Sequence, residues 1–189
     1  MDSRYAKQIA LGFLLVYGME RLLETFWKRE KLNGAIKSEY SVYMLIGAYL
    51  IVYVVVILES LTASRREFLP WLTMLGAGVV VLSTVGRLWA IRTLGPYHSI
   101  HIEIYEKHKL IMTGPYQYVR NPYYFSVILE VIGLSLVGNA FVGALMAIFV
   151  YIPVLCLRIV LEEKALVEKF NGSFAEYASR IPKILPTIL

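Results

Sequence analysis

Charged residues are scarce in this chain. Asp, Glu, Lys and Arg make up 17% of its 189 residues, whereas hydrophobic residues make up 58%. This balance excludes an ordinary soluble domain and is typical of a protein that lies in a membrane. Internal repeats and low-complexity linkers are also lacking, and the length fits one compact unit. We therefore expect a single membrane domain over residues 1–189.

Cysteine is almost absent. Cys156 is the single cysteine of the sequence, and it lies inside an apolar run. One cysteine excludes an intrachain disulfide framework and a zinc site built from several cysteines. We expect no metal site in this chain.

Five apolar segments approach the ~20 residues that a helix needs to cross the hydrocarbon core. They cover residues 8–27, 40–58, 68–91, 123–137 and 140–161. The last two are separated only by Gly138 and Asn139, a turn signal that predicts a helical hairpin. The first carries Glu20, Arg21 and Glu24, which favours a retained helix over a cleaved signal peptide. The predicted fold is an all-α integral membrane protein with about five transmembrane helices.

The basic residues predict an orientation in the membrane. Segments 28–39, 92–122 and 162–189 each hold four Lys or Arg residues, whereas the segments on the opposite side hold two or none. Because basic loops stay inside, we expect the N-terminus outside and the C-terminus in the cytoplasm, in the cell inner membrane. We attribute the lysines to topology and contact with lipid headgroups, not to nucleic-acid binding.

The stretch "TGPYQYVRNPYYF", residues 113–125, predicts the start of the fourth span. Gly114 and Pro115 suit a turn, Asn121 is a good N-cap and Pro122 a good first helical residue. A helix start beside Arg120 attracts anions, and the tyrosines around it suit a cationic ligand through cation–π attraction. The alternative is simple capping with an interfacial belt of tyrosines.

Two sequence blocks carry a family resemblance. "HKLIMTGPYQYVRNPYYF", then a helical hairpin, then "RIVLEEKALVEKFNGSFAEYASRIPKILP" resembles the isoprenylcysteine carboxyl methyltransferase family and its phospholipid methyltransferase relatives, over about residues 86–189. The matching residues are Leu110, Gly114, Tyr116, Arg120, Pro122, Tyr124, Arg158, Glu162, Glu163, Phe170, Tyr177, Pro182 and Pro186. The N-terminal "ERLLETFWKREK" and an intramembrane glutamate are more similar to the bacterial branch of the family.

The resemblance implies a membrane enzyme that uses S-adenosylmethionine and a lipid-like methyl acceptor. In that family segment 92–122 and the C-terminal tail wrap the cofactor at the cytoplasmic face, so residues 1–91 would be three N-terminal helices and 92–189 the cofactor-binding half. By position, Glu162 and Glu163 would bind ribose hydroxyls or amino groups of the cofactor. The other cofactor-binding candidates are His101, Leu110, Gly114, Tyr116, Arg120, Asn121 and Tyr124.

One position departs from the family pattern. Many members carry histidine where this chain has Asn121. Asparagine forms hydrogen bonds but cannot shuttle a proton. An acid–base role at this position is therefore in doubt.

The catalytic candidates depend on the acceptor. An ionised carboxylate needs no base, whereas a phenol with a pKa of about 10 does. The candidate bases are His98, His101 and Glu130, and the family pattern favours His98 over His101. Glu130 lies within the fourth span and should face the bundle, either as a base or in a structural ion pair with Arg87 or Arg21.

Arg158 is the third catalytic candidate. It precedes Glu162 by one helical turn, on the same helix face. It would either orient the Glu162 carboxylate or bind an acidic acceptor.

The predicted reaction is O-methylation of a carboxylate, phenol or enol on a prenylcysteine-like or alkylpyrone or phenolic lipid. Two alternatives remain from the sequence. A sterol-type membrane reductase shares a similar "GPY…RNP…EE" ending but binds NADPH and is usually longer. A noncatalytic membrane scaffold would use the same polar residues for packing.

Overall fold

A computed structural model describes residues 3–26, 35–38, 40–62, 67–99, 102–104 and 109–185. His101 and Pro186, both singled out in the sequence, lie outside these residues. The helices are α1 (Ser3–Phe26), α2 (Tyr40–Thr62), α3 (Pro70–Leu94), α4 (Pro122–Val137), α5 (Phe141–Met146), α6 (Ile152–Phe170) and α7 (Gly172–Arg180). Short 3-10 turns cover Gly95–Tyr97 and Gly114–Gln117.

Two short strands accompany the helices. Strand β1 (Ala35–Ser38) pairs antiparallel with β2 (Ile102–Ile104), and Ala35 lies opposite Ile104. This strand pair is not predicted from the sequence, since β1 and β2 are only a few residues long and lie far apart in the chain. The pair ties the segment before α2 to the segment after α3 without changing the helical class of the fold.

The five predicted spans correspond to α1, α2, α3, α4 and the continuous helix formed by α5, a π-helical turn and α6. In the described part of the chain, three helical stretches are long and apolar enough to cross a membrane: Tyr40–Thr62, Pro70–Tyr97 and Phe141–Phe170. Helix α4 is apolar but shorter, and α1 carries several charged residues. Three spans are thus supported, and membrane crossing by α1 and α4 stays a prediction.

The predicted helical hairpin is present. Helix α4 ends at Val137, and Asn139 turns the chain with a positive φ of 51°. Its side-chain oxygen accepts a hydrogen bond from Leu69 N at 2.8 Å, so the same residue also caps α3. Glu59 of α2 accepts hydrogen bonds from the first backbone N–H groups of α5, at Phe141 (3.0 Å) and Gly143 (3.1 Å). These partners satisfy helix ends that would otherwise be unpaired at membrane depth.

Gly76 of α3 and Gly133 of α4 allow these two helices to pack closely together. A Cβ placed on Gly76 would lie 2.5 Å from Val137 N, and one on Gly133 would lie 3.1 Å from Gly76 O. Such contacts are possible only without a side chain, the pattern typical of closely packed membrane helices. The close packing fixes α4, whose first turn carries much of the candidate site.

A π-helical turn separates α5 from α6. It covers Ala147–Tyr151 and is followed by Pro153, which has no backbone N–H to donate to the preceding turn. The resulting bulge places Tyr151 in the core, where only 2% of its surface is exposed.

The chain after α7 returns to the start of α4. Arg120 N donates to Pro182 O at 2.9 Å, and Asn121 N donates to Lys183 O at 3.2 Å. The C-terminal end of α6, helix α7 and this returning segment therefore meet the beginning of α4 at one end of the bundle, which we call the site end.

Candidate functional site

The start of α4 meets Glu162 and Glu163 of α6 at the site end, as the sequence predicts, although α6 continues past the predicted end of the span at residue 161 to Phe170. Tyr124 donates its hydroxyl hydrogen to Glu162 Oε2 at 2.6 Å. Asn121 Nδ2 and Arg120 Nε donate to the same oxygen of Glu163, Oε1, at 2.9 and 3.1 Å. Arg120, Asn121 and Tyr124 at the start of α4 therefore hold the carboxylates of Glu162 and Glu163 from one side.

Asn121 occupies the predicted N-cap position, but its side chain makes no capping hydrogen bond. Its amide instead donates to Glu163 and to Lys183 O at 3.0 Å. The N-cap position is confirmed, but the side chain does not cap the helix, because donation from Nδ2 to Glu163 and Lys183 orients the amide away from the first backbone N–H groups of α4. Asn121 here links α4, α6 and the C-terminal segment.

Arg120 is used inside the protein rather than presented to an anion. Its Nη1 donates to Ala178 O at 2.6 Å and to Ile181 O at 2.8 Å, in addition to the contact with Glu163. Lys183 Nζ lies 3.1 Å from the second oxygen of Glu163. Glu163 is therefore strongly paired, whereas the hydrogen bond from Tyr124 leaves Glu162 better placed to accept donors from a ligand.

Arg158 connects the site to α2. It is buried, and it donates from Nε to Tyr124 Oη at 2.9 Å and from Nη1 to Ser41 Oγ at 2.9 Å. The prediction that Arg158 orients Glu162 is refined by this geometry, since the hydroxyl of Tyr124 lies between the two groups. Ser41 carries no sequence signal, because its approach to Arg158 depends on how α2 packs against α6.

Two tyrosines close the outer side of the site. Tyr177 of α7 donates to Tyr116 O at 2.6 Å, and its ring packs edge-on against Phe174 at a centroid distance of 6.1 Å. Burial raises the pKa of Tyr177 to about 12 and also raises the pKa of Tyr116. Both hydroxyls therefore stay protonated at neutral pH and serve as neutral hydrogen-bonding groups.

A cavity of about 460 Å³ begins among these residues and extends to α1 and α2. Its polar end is lined by Lys109, Leu110, Tyr116, Arg120, Asn121, Tyr124, Arg158, Glu162, Glu163, Phe174 and Tyr177. Its other end is mostly apolar and is lined by Leu15, Gly18, Met19, Leu22, Leu45, Ile46, Leu50 and Tyr53 of α1 and α2. Leu15, Met19, Leu22 and Leu50 are exposed, so this apolar end reaches the outer surface of the bundle. Helices α1 and α2 therefore contribute to the same cavity as the C-terminal half.

His98 and Leu110 lie on the cavity wall, and the His98 ring is 5.4 Å from the ring of Tyr123. Gly114 is not among the described wall residues. It has a φ of +60°, and an added Cβ would lie 2.8 Å from Thr93 Oγ1. Gly114 thus shapes the turn before α4, a role that follows from its backbone conformation.

Glu130 faces the bundle interior, as its position within the span predicts. Arg21 Nε donates to its Oε1 at 2.8 Å, and Arg87 Nε lies 3.4 Å from its Oε2. Glu24 pairs with Arg21 at 3.0 Å and also contacts Arg87. Both arginines that the sequence offered as partners are used at once. Glu130 is fully buried and is not one of the described cavity-wall residues.

Comparison with known proteins identifies the family. The model of the isoprenylcysteine carboxyl methyltransferase family matches residues 74–168. The protein YpbQ of Bacillus subtilis (strain 168) is 31% identical over 143 residues, covering 75% of this chain and 83% of YpbQ. The chain belongs to the isoprenylcysteine carboxyl methyltransferase family. The matched region includes the helical hairpin and both halves of the Tyr124–Glu162 contact.

Other members of the family agree with this assignment. Protein-S-isoprenylcysteine O-methyltransferase B of Arabidopsis thaliana is 27% identical over 193 residues, covering 98% of this chain and 94% of the relative. The solved structure of a eukaryotic intramembrane Ras methyltransferase of this family shares the fold, with a TM-score of 0.62 at 23% identity. That comparison covers 80% of this chain and 55% of the solved one, so this chain spans about half of that structure.

Membership supports the methyltransferase prediction over the sterol-type reductase and the noncatalytic scaffold. It also supports an integral membrane protein, in agreement with the apolar helices. In the described part of the chain, no group of three or more His, Cys, Asp or Glu side chains is arranged to hold a metal ion.

Proposed function

We propose that this chain is an S-adenosylmethionine-dependent methyltransferase that modifies a lipophilic acceptor within the membrane. The observation that carries the proposal is the single cavity that joins a polar, carboxylate-bearing end to an apolar end between α1 and α2. Such a shape suits one polar and one lipophilic ligand bound next to each other. Membership of a methyltransferase family gives the reaction class.

The polar end fits the chemistry of the cofactor. Glu162 offers carboxylate oxygens to ribose hydroxyls or to an amino group, and Glu163 provides a second carboxylate beside it. Phe174, Tyr116 and Leu110 provide flat and apolar surface for an adenine ring. Asn121, Arg120 and Tyr124 hold the two carboxylates in place. Bound here, S-adenosylmethionine supplies an activated methyl group on a sulfonium centre.

The apolar end fits an alkyl or prenyl chain. Most of its wall consists of apolar side chains of α1 and α2, several of which are exposed on the outer faces of these helices. A hydrocarbon chain buried there gains ~25 cal/mol per Å² of apolar surface removed from water. An acceptor that resides in the bilayer can therefore place its reactive head at the polar end of the cavity.

The remaining residues align the acceptor and exclude water. Arg158, held by Tyr124 and Ser41, presents a fixed positive charge at the cavity wall that suits an acidic acceptor. His98 lies on the same wall and is the candidate base at the polar end. Alignment and exclusion of water are the main demands of an in-line methyl transfer.

We propose the same orientation and organisation as the sequence predicts. The site end would face the cytoplasm, where the cofactor is available. Residues 92–189, which line the polar end of the cavity, would supply most of the cofactor contacts. A single cysteine introduced at Ser173 of α7, in a chain with Cys156 changed to serine, should react with a membrane-impermeant thiol reagent only from the cytoplasmic side. Labelling from the outside would contradict this orientation.

Transfer of a radiolabelled methyl group tests the function. The purified protein in lipid is incubated with labelled S-adenosylmethionine and with prenylcysteine, phenolic, alkylpyrone and phospholipid acceptors in turn. We expect label in the lipid product of at least one carboxylate, phenol or enol acceptor. If the folded protein labels none of these acceptors and also binds no S-adenosylmethionine, the proposal is wrong.

A further inference from the structure

The apolar end of the cavity follows the cleft between α1 and α2. Along α2 the described wall begins at Val42, which follows the Arg158 partner Ser41, and ends at Tyr53. Val42 and Tyr53 are eleven positions apart, so this wall covers about 17 Å along the helix axis. On α1 the described wall ends at Leu15. The cleft therefore offers a path of defined length to an acceptor chain that starts at the polar end.

The side chain of Tyr53 closes this path. Its hydroxyl donates to Leu14 O of α1, so the side chain crosses from one helix to the other. Its ring lies against Gly18, where an added Cβ would lie 2.7 Å from Tyr53 Cζ. Further from the polar end, Leu14 and Val56 are fully buried, and neither is a described wall residue. The bundle is therefore packed beyond Tyr53, and this side chain forms the floor of the cleft.

The ring of Tyr53 is also held from within the bundle. It stacks on Tyr49 at a centroid distance of 6.3 Å, with an angle of 10° between the ring planes. Tyr49 is anchored in turn, because it donates to Glu130 Oε1 at 2.7 Å and meets Tyr151 edge-on at 5.9 Å. Tyr53 cannot move aside without breaking these contacts, so we expect a rigid floor.

The outer side of the cleft is different. Leu15 and Met19 of α1 and Leu50 of α2 line the cleft and are exposed, so the cleft is open towards the outer surface of the bundle. A flexible chain that reaches the floor can bend and leave through this side. A rigid, extended group cannot bend and has to end before Tyr53. The cleft therefore distinguishes acceptors by the length of their rigid part, not by their total number of carbon atoms.

We propose that Tyr53 is a specificity-determining residue that sets the longest rigid apolar group an acceptor can carry, and that Gly18 makes room for its ring. The inference rests on the proposed function and deepens it. Rigid groups are limited to about 17 Å, the length of the cleft wall on α2. The limit depends on the shape of the apolar group and is independent of the chemistry of the reacting head.

Rigid and flexible probes of increasing length test the limit in the full chain in lipid. The rigid probes are oligophenyl phenols and oligophenyl carboxylic acids, and the flexible probes are long-chain alkylphenols and fatty acids. For the head chemistry that is methylated, flexible probes of every length should react. Rigid probes beyond the limit should lose at least about tenfold in kcat/KM, as expected when a group overfills an apolar pocket. The rise in unfolding temperature that each probe causes should show the same limit without turnover.

Substitutions of Tyr53 should move the limit in opposite directions. Tyr53→Ala removes the floor and should admit longer rigid probes, whereas the larger side chain of Tyr53→Trp should shorten the limit. Tyr53→Phe keeps the ring and should keep the limit, which separates the role of the ring from that of the hydroxyl. The control is Tyr43→Ala, since Tyr43 of α2 is exposed and is not a described wall residue. All four variants should bind S-adenosylhomocysteine as the wild type does.

Gly18 offers a second matched pair on α1. The methyl group of Gly18→Ala occupies the position of the Tyr53 ring, so the ring has to move into the cleft and the limit should shorten. A Cβ at Gly12 has no neighbour within 4 Å among the described residues, so Gly12→Ala should keep the wild-type limit.

The failure of this inference is distinguishable from failure of the proposed function. Methyl transfer with the same limit in wild type, Tyr53→Ala and Tyr53→Trp, or with rigid probes accepted at every length, would overturn the role of Tyr53 and leave the methyltransferase proposal intact. If Tyr53→Ala no longer binds S-adenosylhomocysteine, the comparison of Tyr53→Trp and Gly18→Ala with the wild type decides. A folded wild type that neither binds S-adenosylhomocysteine nor transfers a methyl group would overturn the proposed function.

Discussion

At the scale of single residues, buried charges in this protein are met by several partners each. Glu130 contacts Arg21, Arg87 and Tyr49, and Glu163 contacts Arg120, Asn121 and Lys183. An unpaired buried charge is expensive, so we expect these contacts to stabilise the fold whatever their proposed use. The proposed site and the stability of the fold therefore depend on some of the same side chains.

Removal of the Glu130 carboxylate tests its contribution to stability. Glu130→Ala leaves Arg21 and the fully buried Arg87 without this partner. Loss of one member of a buried ion pair costs about 3–5 kcal/mol, so we expect a clear drop in the thermal unfolding temperature of the detergent-extracted protein. Glu130→Gln, which keeps the size and the hydrogen bonding, should lose less.

The matched control for Glu130→Ala is Glu176→Ala. Glu176 pairs with Arg180 on the exposed side of α7, where ion pairs contribute little. Its unfolding temperature should stay near that of the wild type. If Glu130→Ala unfolds at the same temperature as this control, the buried cluster does not stabilise the bundle in the way described.

At the scale of elements, the site depends on the close packing of α3 against α4. Gly76→Ala introduces a Cβ that would lie 2.5 Å from Val137 N, a backbone atom that cannot rotate away. Overpacking of this kind costs about 1–3 kcal/mol, and it should displace the α4 start that carries Asn121 and Tyr124. We expect a lower unfolding temperature and weaker binding of S-adenosylhomocysteine.

Gly78→Ala provides the control on the same helix. A Cβ at Gly78 has no neighbour within 4 Å among the described residues, and alanine is the better helix former. This variant should be as stable as the wild type or slightly more stable. Equal behaviour of Gly76→Ala and Gly78→Ala would show that the α3–α4 packing is looser than described.

The elements that local sequence signals predict are those with proline or glycine at their ends. Pro122 starts α4, because proline fixes its own φ and donates no backbone hydrogen bond, and Gly138 with Asn139 closes the hairpin, because both residues tolerate turn conformations. The β1–β2 pair and the π-helical turn were not predicted. The first depends on two segments far apart in sequence, and the second on how the bundle accommodates Pro153.

The candidate site was also predicted only in part. The family pattern gave Tyr124, Glu162 and Glu163 as neighbours, and the structure brings them together. The contact of Tyr49, a cavity-wall residue, with Glu130 was not predicted, since the two residues lie 81 positions apart on different helices. Its one sequence signal is the row of tyrosines at positions 40, 43, 49 and 53 of α2, which alone does not show which of them faces the cavity.

At the scale of the whole molecule, one cavity connects two different environments. The polar end is built from the C-terminal half, which carries the family pattern, and the apolar end from α1 and α2. The N-terminal helices therefore do more than anchor the chain, because they supply the wall against which a lipid chain would lie. Differences in α1 and α2 between family members are expected to change the acceptor rather than the cofactor.

Titration calorimetry with S-adenosylhomocysteine tests the central claim most directly, since the proposed cofactor site lies between α4 and α6. The wild type should bind it and not NADPH. Glu162→Ala and Glu163→Ala should each lose at least about tenfold in affinity, as expected for a lost hydrogen bond to a charged group, while Glu176→Ala keeps the wild-type value. Undiminished affinity in both site variants, or binding of NADPH in place of S-adenosylhomocysteine, would contradict this account.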